Sequence, residues 1–274
     1  MSTARRLLGQ AVKVTAAAAD TLRRPPPGVV VLIYHRVGAG TDAEIDLPTD
    51  RFDEQMAWLA RHRRPVSLDE ALSLLAQPEA PDGPAPVVVT FDDGTVDFVD
   101  HALPVLVRHQ VPVTLYLATD FAEQQRPFPA GAAPVTWGGL AEAVATGLVT
   151  VGSHTHTHAL LDRLAADQVA EELDRSTGLI GERLGVKAEH FAYPKAVPGS
   201  PAAEEAVKAR YRSAALAGTR PNRYGATDPH RLARSPVQVS DRATWFRRKA
   251  QGGMALEDGL RRAINRRRYA GATT

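Results

Sequence analysis

The chain has 274 residues, 44% of them hydrophobic, which suits one large domain or two small ones with a full core and excludes global disorder. It has no cysteine, which excludes disulfides, thiolate metal sites and a cysteine nucleophile. The net charge of +2 conceals an asymmetry: residues 1–24 carry five basic side chains and one acidic, residues 241–274 nine and three, and the centre 19 and 27, a net of −8 that argues against a nucleic-acid partner.

No run of about 18 apolar residues predicts a transmembrane helix. Arg5-Arg6 and Ala17-Ala18-Ala19 have the outline of a signal peptide, but Gln10 and Lys13 interrupt its apolar core. Residues 3–22 instead read as an amphipathic helix, with Leu7, Leu8, Ala11, Val14, Thr15, Ala18, Ala19 and Leu22 on one face. Such a helix docks on a domain surface or, with its flanking arginines, on a membrane. Pro25-Pro26-Pro27-Gly28 ends it, and the sequence divides into an N-terminal helix (1–24), a central domain (28–240) and a basic helical tail (241–274).

Strands and helices then alternate. Val29–Tyr34 reads as a buried strand and Phe52–Arg63 as a helix, and Ser67-Leu68-Asp69-Glu70 is a capping box opening a helix to Ala76. Strands follow at Val87–Phe91, Val113–Ala118, Val149–Gly152, Phe191–Tyr193, Ser213–Ala217 and Val237–Val239. Helices are predicted over His101–His109, Leu140–Thr146, Ala165–Leu184 and Ala202–Tyr211. Continuous apolar strands alternating with helices predict a parallel α/β architecture with its site at the strand C-termini.

Two of those ends carry chemistry. Asp92-Asp93-Gly94 follows one strand, and Ser153-His154-Thr155-His156-Thr157-His158 follows another. An isolated Asp-Asp-Gly suits a turn equally well. Three histidines alternating over five residues are harder to assign to structure, and His154 and His158, four apart, can aim at one point. One Asp and two His make a three-ligand metal site with open positions, zinc being the default and iron, cobalt or nickel also compatible. The second Asp then suits a general base acting on metal-activated water.

These motifs resemble the polysaccharide deacetylases of the NodB-homology type, carbohydrate esterase family 4. The resemblance runs over roughly residues 29–240. It rests on Thr90-Phe91-Asp92-Asp93-Gly94, Gly152-Ser153-His154-Thr155-His156-Thr157-His158 and Phe191-Ala192-Tyr193-Pro194, with Tyr34-His35 typical of the branch that includes exopolysaccharide N-deacetylases. It implies a distorted (β/α)7-type barrel, here with basic helical extensions at both termini. It assigns Asp92 as base and Asp93, His154 and His158 as ligands of a divalent metal, most readily Zn2+, in hydrolysis of an acetamido group on an N-acetylated glycan. An oxyanion donor is implied at the backbone of Lys195; Trp137 is a candidate to wall the pocket and contact a sugar face, with simple core packing as its alternative, and Tyr193 is a candidate substrate residue.

The departures from the pattern define what must be located. The arginine that orients the base in relatives falls on Ala192, and the late Leu-x-His motif reads Leu232-Ala233-Arg234. Lys195, Arg231 and Arg234 are candidates to hold Asp92. His35 is the candidate general acid, with His156 and His230 behind it. An O-acetyl esterase and a silent glycan-binding relative are the alternative functions. The basic ends suggest peripheral membrane contact, and the lack of a clear signal favours a cytoplasmic or inner-membrane-associated location, with the cell envelope as the alternative.

Overall fold

Apolar runs of five or six residues become staves of a parallel barrel, because strands covered on both faces need apolar side chains on both. The computed structural model describes residues 13–18, 20 and 24–259. Its first strand, β1 (Val30–Tyr34), leads through the paired short strands β2 (Arg36–Val37) and β3 (Asp46–Leu47) to helix α1 (Thr49–His62). β4 (Arg64–Pro65), α2 (Leu68–Leu75) and β5 (Pro86–Phe91) follow. The remaining strands are β6 (Val113–Leu117), β7 (Val149–Ser153), β8 (His190–Ala192), β9 (Ser213–Ala217) and β10 (Leu232–Pro236). All pairings are parallel in the order β1-β10-β9-β8-β7-β6-β5, and β5 pairs back onto β1 with Val30 opposite Val87 and Tyr34 opposite Phe91. Seven strands therefore close the barrel, with β4 added beside the start of β5.

Alternation sorts the side chains. Val30, Leu32, Tyr34, Val87, Val89 and Phe91 face outward and pack beneath Phe52, Met56 and Leu59 of α1. Val31, Val88, Tyr116, Ala192, Ala215 and Leu232 face inward, where Leu68, Ala71 and Leu75 of α2 join them and close the N-terminal end of the barrel. Ser67 caps α2 by accepting from the Glu70 N–H at 3.1 Å. With one end stoppered by apolar side chains, the open end lies at the strand C-termini. The outer layer continues with α3 (Leu103–His109), α4 (Thr119–Gln124), α5 (Trp137–Ala145), α6 (Ala166–Leu184), α7 (Pro201–Arg210) and α8 (Arg242–Ala250). No helix among the described residues is long and apolar enough to cross a membrane.

The structure departs from the sequence reading in two places. The last strand is Leu232–Pro236, not 237–239, which lies at the start of a 3-10 turn; its inward Arg234 disguises the apolar pattern of a core strand. The face expected of the N-terminal helix is reversed where it is described: Val14 is 58% exposed, whereas Lys13, Ala16 and Ala17 are buried. Lys13 pairs with the fully buried Asp241 and with Glu257 at 3.2 Å, so charge pairing overrides apolar spacing. Leu7, Leu8, Ala11, Ala19 and Leu22 lie outside the described residues. Within the basic C-terminal stretch, α8 packs on α1 and β1, burying Phe246, Lys249 and Ala250.

Candidate metal and catalytic site

At the end of β5 the chain turns over the barrel mouth. The Asp92 N–H donates to the Tyr34 carbonyl at 3.1 Å, continuing the β1 ladder by one residue. Asp93 then adopts φ 74° and Gly94 φ 93°. A Cβ on Gly94 would lie 2.4 Å from Leu117 Cδ1, so this turn requires glycine. At the end of β7, His154 continues the ladder by donating its N–H to the Leu117 carbonyl at 2.9 Å. Thr155 at φ 62° and His158 at φ 66° bend the following loop back over the mouth. Non-glycine residues held at positive φ gather here, as they do at sites where geometry takes precedence over backbone comfort.

The result is a cluster of Asp93, His154 and His158, whose donor atoms lie within 4.8 Å of one another. Nε2 of His154 and of His158 lie 3.6 and 3.5 Å from Asp93 Oδ1, beyond good hydrogen bonds. Ligands about 2.0–2.1 Å from a tetrahedral zinc are separated by roughly 3.4 Å, so the observed spacings fit a shared ion. His154 Nδ1 donates to the Ala192 carbonyl at 2.7 Å, which leaves its Nε2 lone pair facing the cluster. Burial, with His154 alongside, lowers the His158 pKa to about 4 against the opposing pull of Asp93, so its imidazole is a neutral donor at pH 7. The donor set therefore suits a divalent cation.

One pH effect follows. His158 refuses, when folded, a proton that the unfolded chain binds near the ordinary value of 6.5. Metal-free protein is expected to keep this contribution above pH 6.5 and lose it as the pH falls toward 4. Urea unfolding of chelated protein at a series of pH values across that window measures it; His158→Gln should flatten the dependence.

Asp92 lies beside the cluster and is only 5% exposed. Arg234, fully buried in β10 opposite Val31, grips it with both arms: Nη1 to Oδ1 at 2.6 Å and Nη2 to Oδ2 at 2.9 Å. Arg234 also donates to Thr90 Oγ1 at 3.2 Å and to the Leu216 carbonyl at 3.3 Å, and lies over the Tyr116 ring at 5.0 Å. Burial alone would raise the Asp92 pKa; Arg234, aided by His154 and His35, overcomes this and lowers it to about 2. The carboxylate is thus ionised and fixed in orientation. The bracing roles of Thr90 and Tyr116 escaped the sequence reading; a polar Thr90 directly after Val87-Val88-Val89 was the available signal.

The other candidate residues separate by position. His35 follows β1 and is close enough for its charge to act on Asp92. Lys195 is exposed, takes φ 52° just after β8, and its ammonium acts electrostatically on His158. Trp137 packs partly on the outer core, with its indole N–H committed to Glu123 at 2.8 Å. Tyr193 is not placed for substrate contact. Alternation turns it outward into a cluster with Phe191, Val207 and Tyr211, and burial raises its pKa. Arg231 binds Glu204 at 2.7 Å rather than Asp92, and His230 contacts the Tyr211 carbonyl at 2.8 Å. Both precede β10 and are engaged outside the barrel, with no contact to Asp92. His156 is buried against Thr119 Oγ1 at 2.9 Å, where it ties the histidine loop to α4.

Part of the sequence, and the fold, match known proteins. Residues 79–214 match the family model described as polysaccharide deacetylase. YxkH of Bacillus subtilis (strain 168), named for that family, is 25% identical over 170 residues, 62% of this chain and 57% of its own. The chain thus spans less than two thirds of that relative's length. Among solved structures, IcaB from Ammonifex degensii is 28% identical with a TM-score of 0.72, over 82% of this chain and 98% of that one. A de-N-acetylase from Aggregatibacter actinomycetemcomitans shares the fold, with 18% identity and a TM-score of 0.67 over 81% and 99%.

Proposed function

From the match of residues 79–214 to the polysaccharide deacetylase family model, we propose that the chain hydrolyses N-acetyl groups on an N-acetylhexosamine-containing glycan, using a divalent metal, zinc foremost. The observation that carries this reading is the Asp93–His154–His158 cluster beside an Asp92 that is buried and locked by Arg234. A cation held by the cluster supplies Lewis acidity, acidifying water and polarising an acyl oxygen.

The chain's own groups do the rest. Asp92 accepts a proton from the attacking water, and Arg234 keeps it ionised and aimed. As water oxygen bonds to the acetyl carbon, the left-handed turn at Lys195 offers a backbone N–H to the developing oxyanion. The carbon–nitrogen bond then breaks, and His35, across from Asp92, protonates the leaving amine; acetate and a free amino sugar result. Amide anions leave poorly, so this proton is required.

Purified zinc-loaded protein is expected to release acetate from N-acetylglucosamine oligomers and little from acetylxylan, to stop on chelation and to recover with added zinc. Acetate from acetylxylan alone would replace this reading with an O-acetyl esterase. No acetate from either, with metal bound, would leave a glycan-binding relative.

A further inference from the structure

Away from the barrel mouth, the run Trp245-Phe246-Arg247-Arg248-Lys249 has no part in the site. The fold splits it. Lys249 turns inward to Asp241 at 2.9 Å, and Arg248 donates to the Ala17 carbonyl at 3.4 Å. Phe246 and Arg247 instead line a cavity of about 150 Å³ between α1 and α8, together with Arg51, Gln55, Trp58 and Arg242.

Three guanidiniums from separate points of two helices thus meet at one cavity, and none has a carboxylate within ion-pair distance among the described residues. Arg51 donates only to the Val239 carbonyl, at 2.9 Å, and Arg247 lies 5.9 Å from the Trp58 ring centroid. Arg183 and Arg210, by contrast, are neutralised by Glu123 and Asp174. The one lining carboxylate, Glu54, is exposed and makes no ion pair, and nearby Glu44 is engaged by the Ser240 N–H at 3.1 Å. Gln55 is 95% buried by its 5% exposure and accepts from Tyr34 Oη at 2.7 Å with its carbonyl oxygen, so the group left to line the cavity is its N–H2 donor. The lining therefore offers donors and positive charge over an aromatic floor, with little to accept a hydrogen bond.

We infer that this cavity binds a phosphate group. A carboxylate is satisfied by one guanidinium fork, whereas a phosphate presents three outward oxygens to donors arriving from several directions. The site is separate from Asp92 and the metal cluster and does not depend on the proposed deacetylation. The phosphate could belong to a sugar phosphate or to a lipid headgroup, and the experiment separates the two.

Glucosamine 6-phosphate and vesicles of phosphatidylglycerol, with phosphatidylcholine as control, are titrated into the zinc-loaded protein at low salt. The indole N–H resonance of Trp58, identified with Trp58→Phe, is followed by NMR. Saturable movement of that signal is expected, with affinity at least ten-fold weaker in Arg242→Gln/Arg247→Gln and falling with added salt. Both substituted side chains are exposed, so the fold is expected to persist, and an unchanged urea-unfolding midpoint checks it. A response to sugar phosphate assigns the soluble source, and a response to phosphatidylglycerol alone assigns the headgroup. No response to either, or equal binding by the double variant, overturns the inference.

Discussion

Asp92→Asn is expected to lower kcat for acetate release by about 10²–10⁴-fold, the usual contribution of a positioned general base. Metal content should stay at the wild-type level, because Asp92 is outside the Asp93–His154–His158 cluster. The amide keeps an oxygen for one arm of Arg234 but carries no negative charge, so it can hold the geometry without accepting the proton. KM should change little. Single-turnover rates, normalised to metal-loaded folded protein, are the measurement. Wild-type rates in Asp92→Asn would remove Asp92 as the base and leave the metal cluster alone as the chemical centre.

Arg234→Met is expected to be among the most destabilising single changes in the chain, at about 3–5 kcal/mol, because it leaves the buried Asp92 carboxylate without its counter-ion. Exposed pairs such as Arg108–Asp53 should matter by less than about 1 kcal/mol. The sharper test is the double variant Asp92→Asn/Arg234→Met. Removing both charges should restore stability well beyond the sum of the two single effects, while leaving deacetylation as weak as in Asp92→Asn. Denaturant unfolding of all four proteins gives the coupling energy. Additive losses would mean that the 2.6 and 2.9 Å contacts do not act as a unit.

Stability and proposed chemistry meet in this pair. A carboxylate held near pKa 2 is a weak base, yet it is ionised at every pH where the protein would work. Arg234 thereby exchanges basicity for constancy of charge and direction. The metal cluster is organised differently. Burial keeps the His158 imidazole neutral, and the Ala192 carbonyl fixes the orientation of the His154 ring.

Local chemistry was legible before the fold. The strand-end positions of Asp92-Asp93 and His154/His158 follow from apolar runs ending in polar residues, and a four-residue spacing is short enough to be read along the chain. Arg234 was nameable as a candidate but not separable from Arg231. They are three residues apart in sequence, yet one reaches Asp92 inside the barrel and the other pairs with Glu204 outside it. Only the register of β10 against β1, with Arg234 beside Val31, makes that distinction. Tyr193 shows the converse: it adjoins a residue whose carbonyl orients His154, but the two-residue period of a strand turns its ring away.

By itself, then, the sequence determined a parallel α/β class, an Asp-Asp pair and a His154/His158 pair at strand ends, because each depends on residue type and short spacing, while the barrel was what the family resemblance implied. It also determined an acidic centre flanked by basic ends. Only the tertiary structure decided which arginine holds Asp92, which way the N-terminal helix faces, and that Arg51 and Arg247, 196 positions apart in the numbering, share one cavity. Those outcomes rest on contacts between distant segments, where a buried charge must find its partner, and such partners leave no periodic trace along the chain.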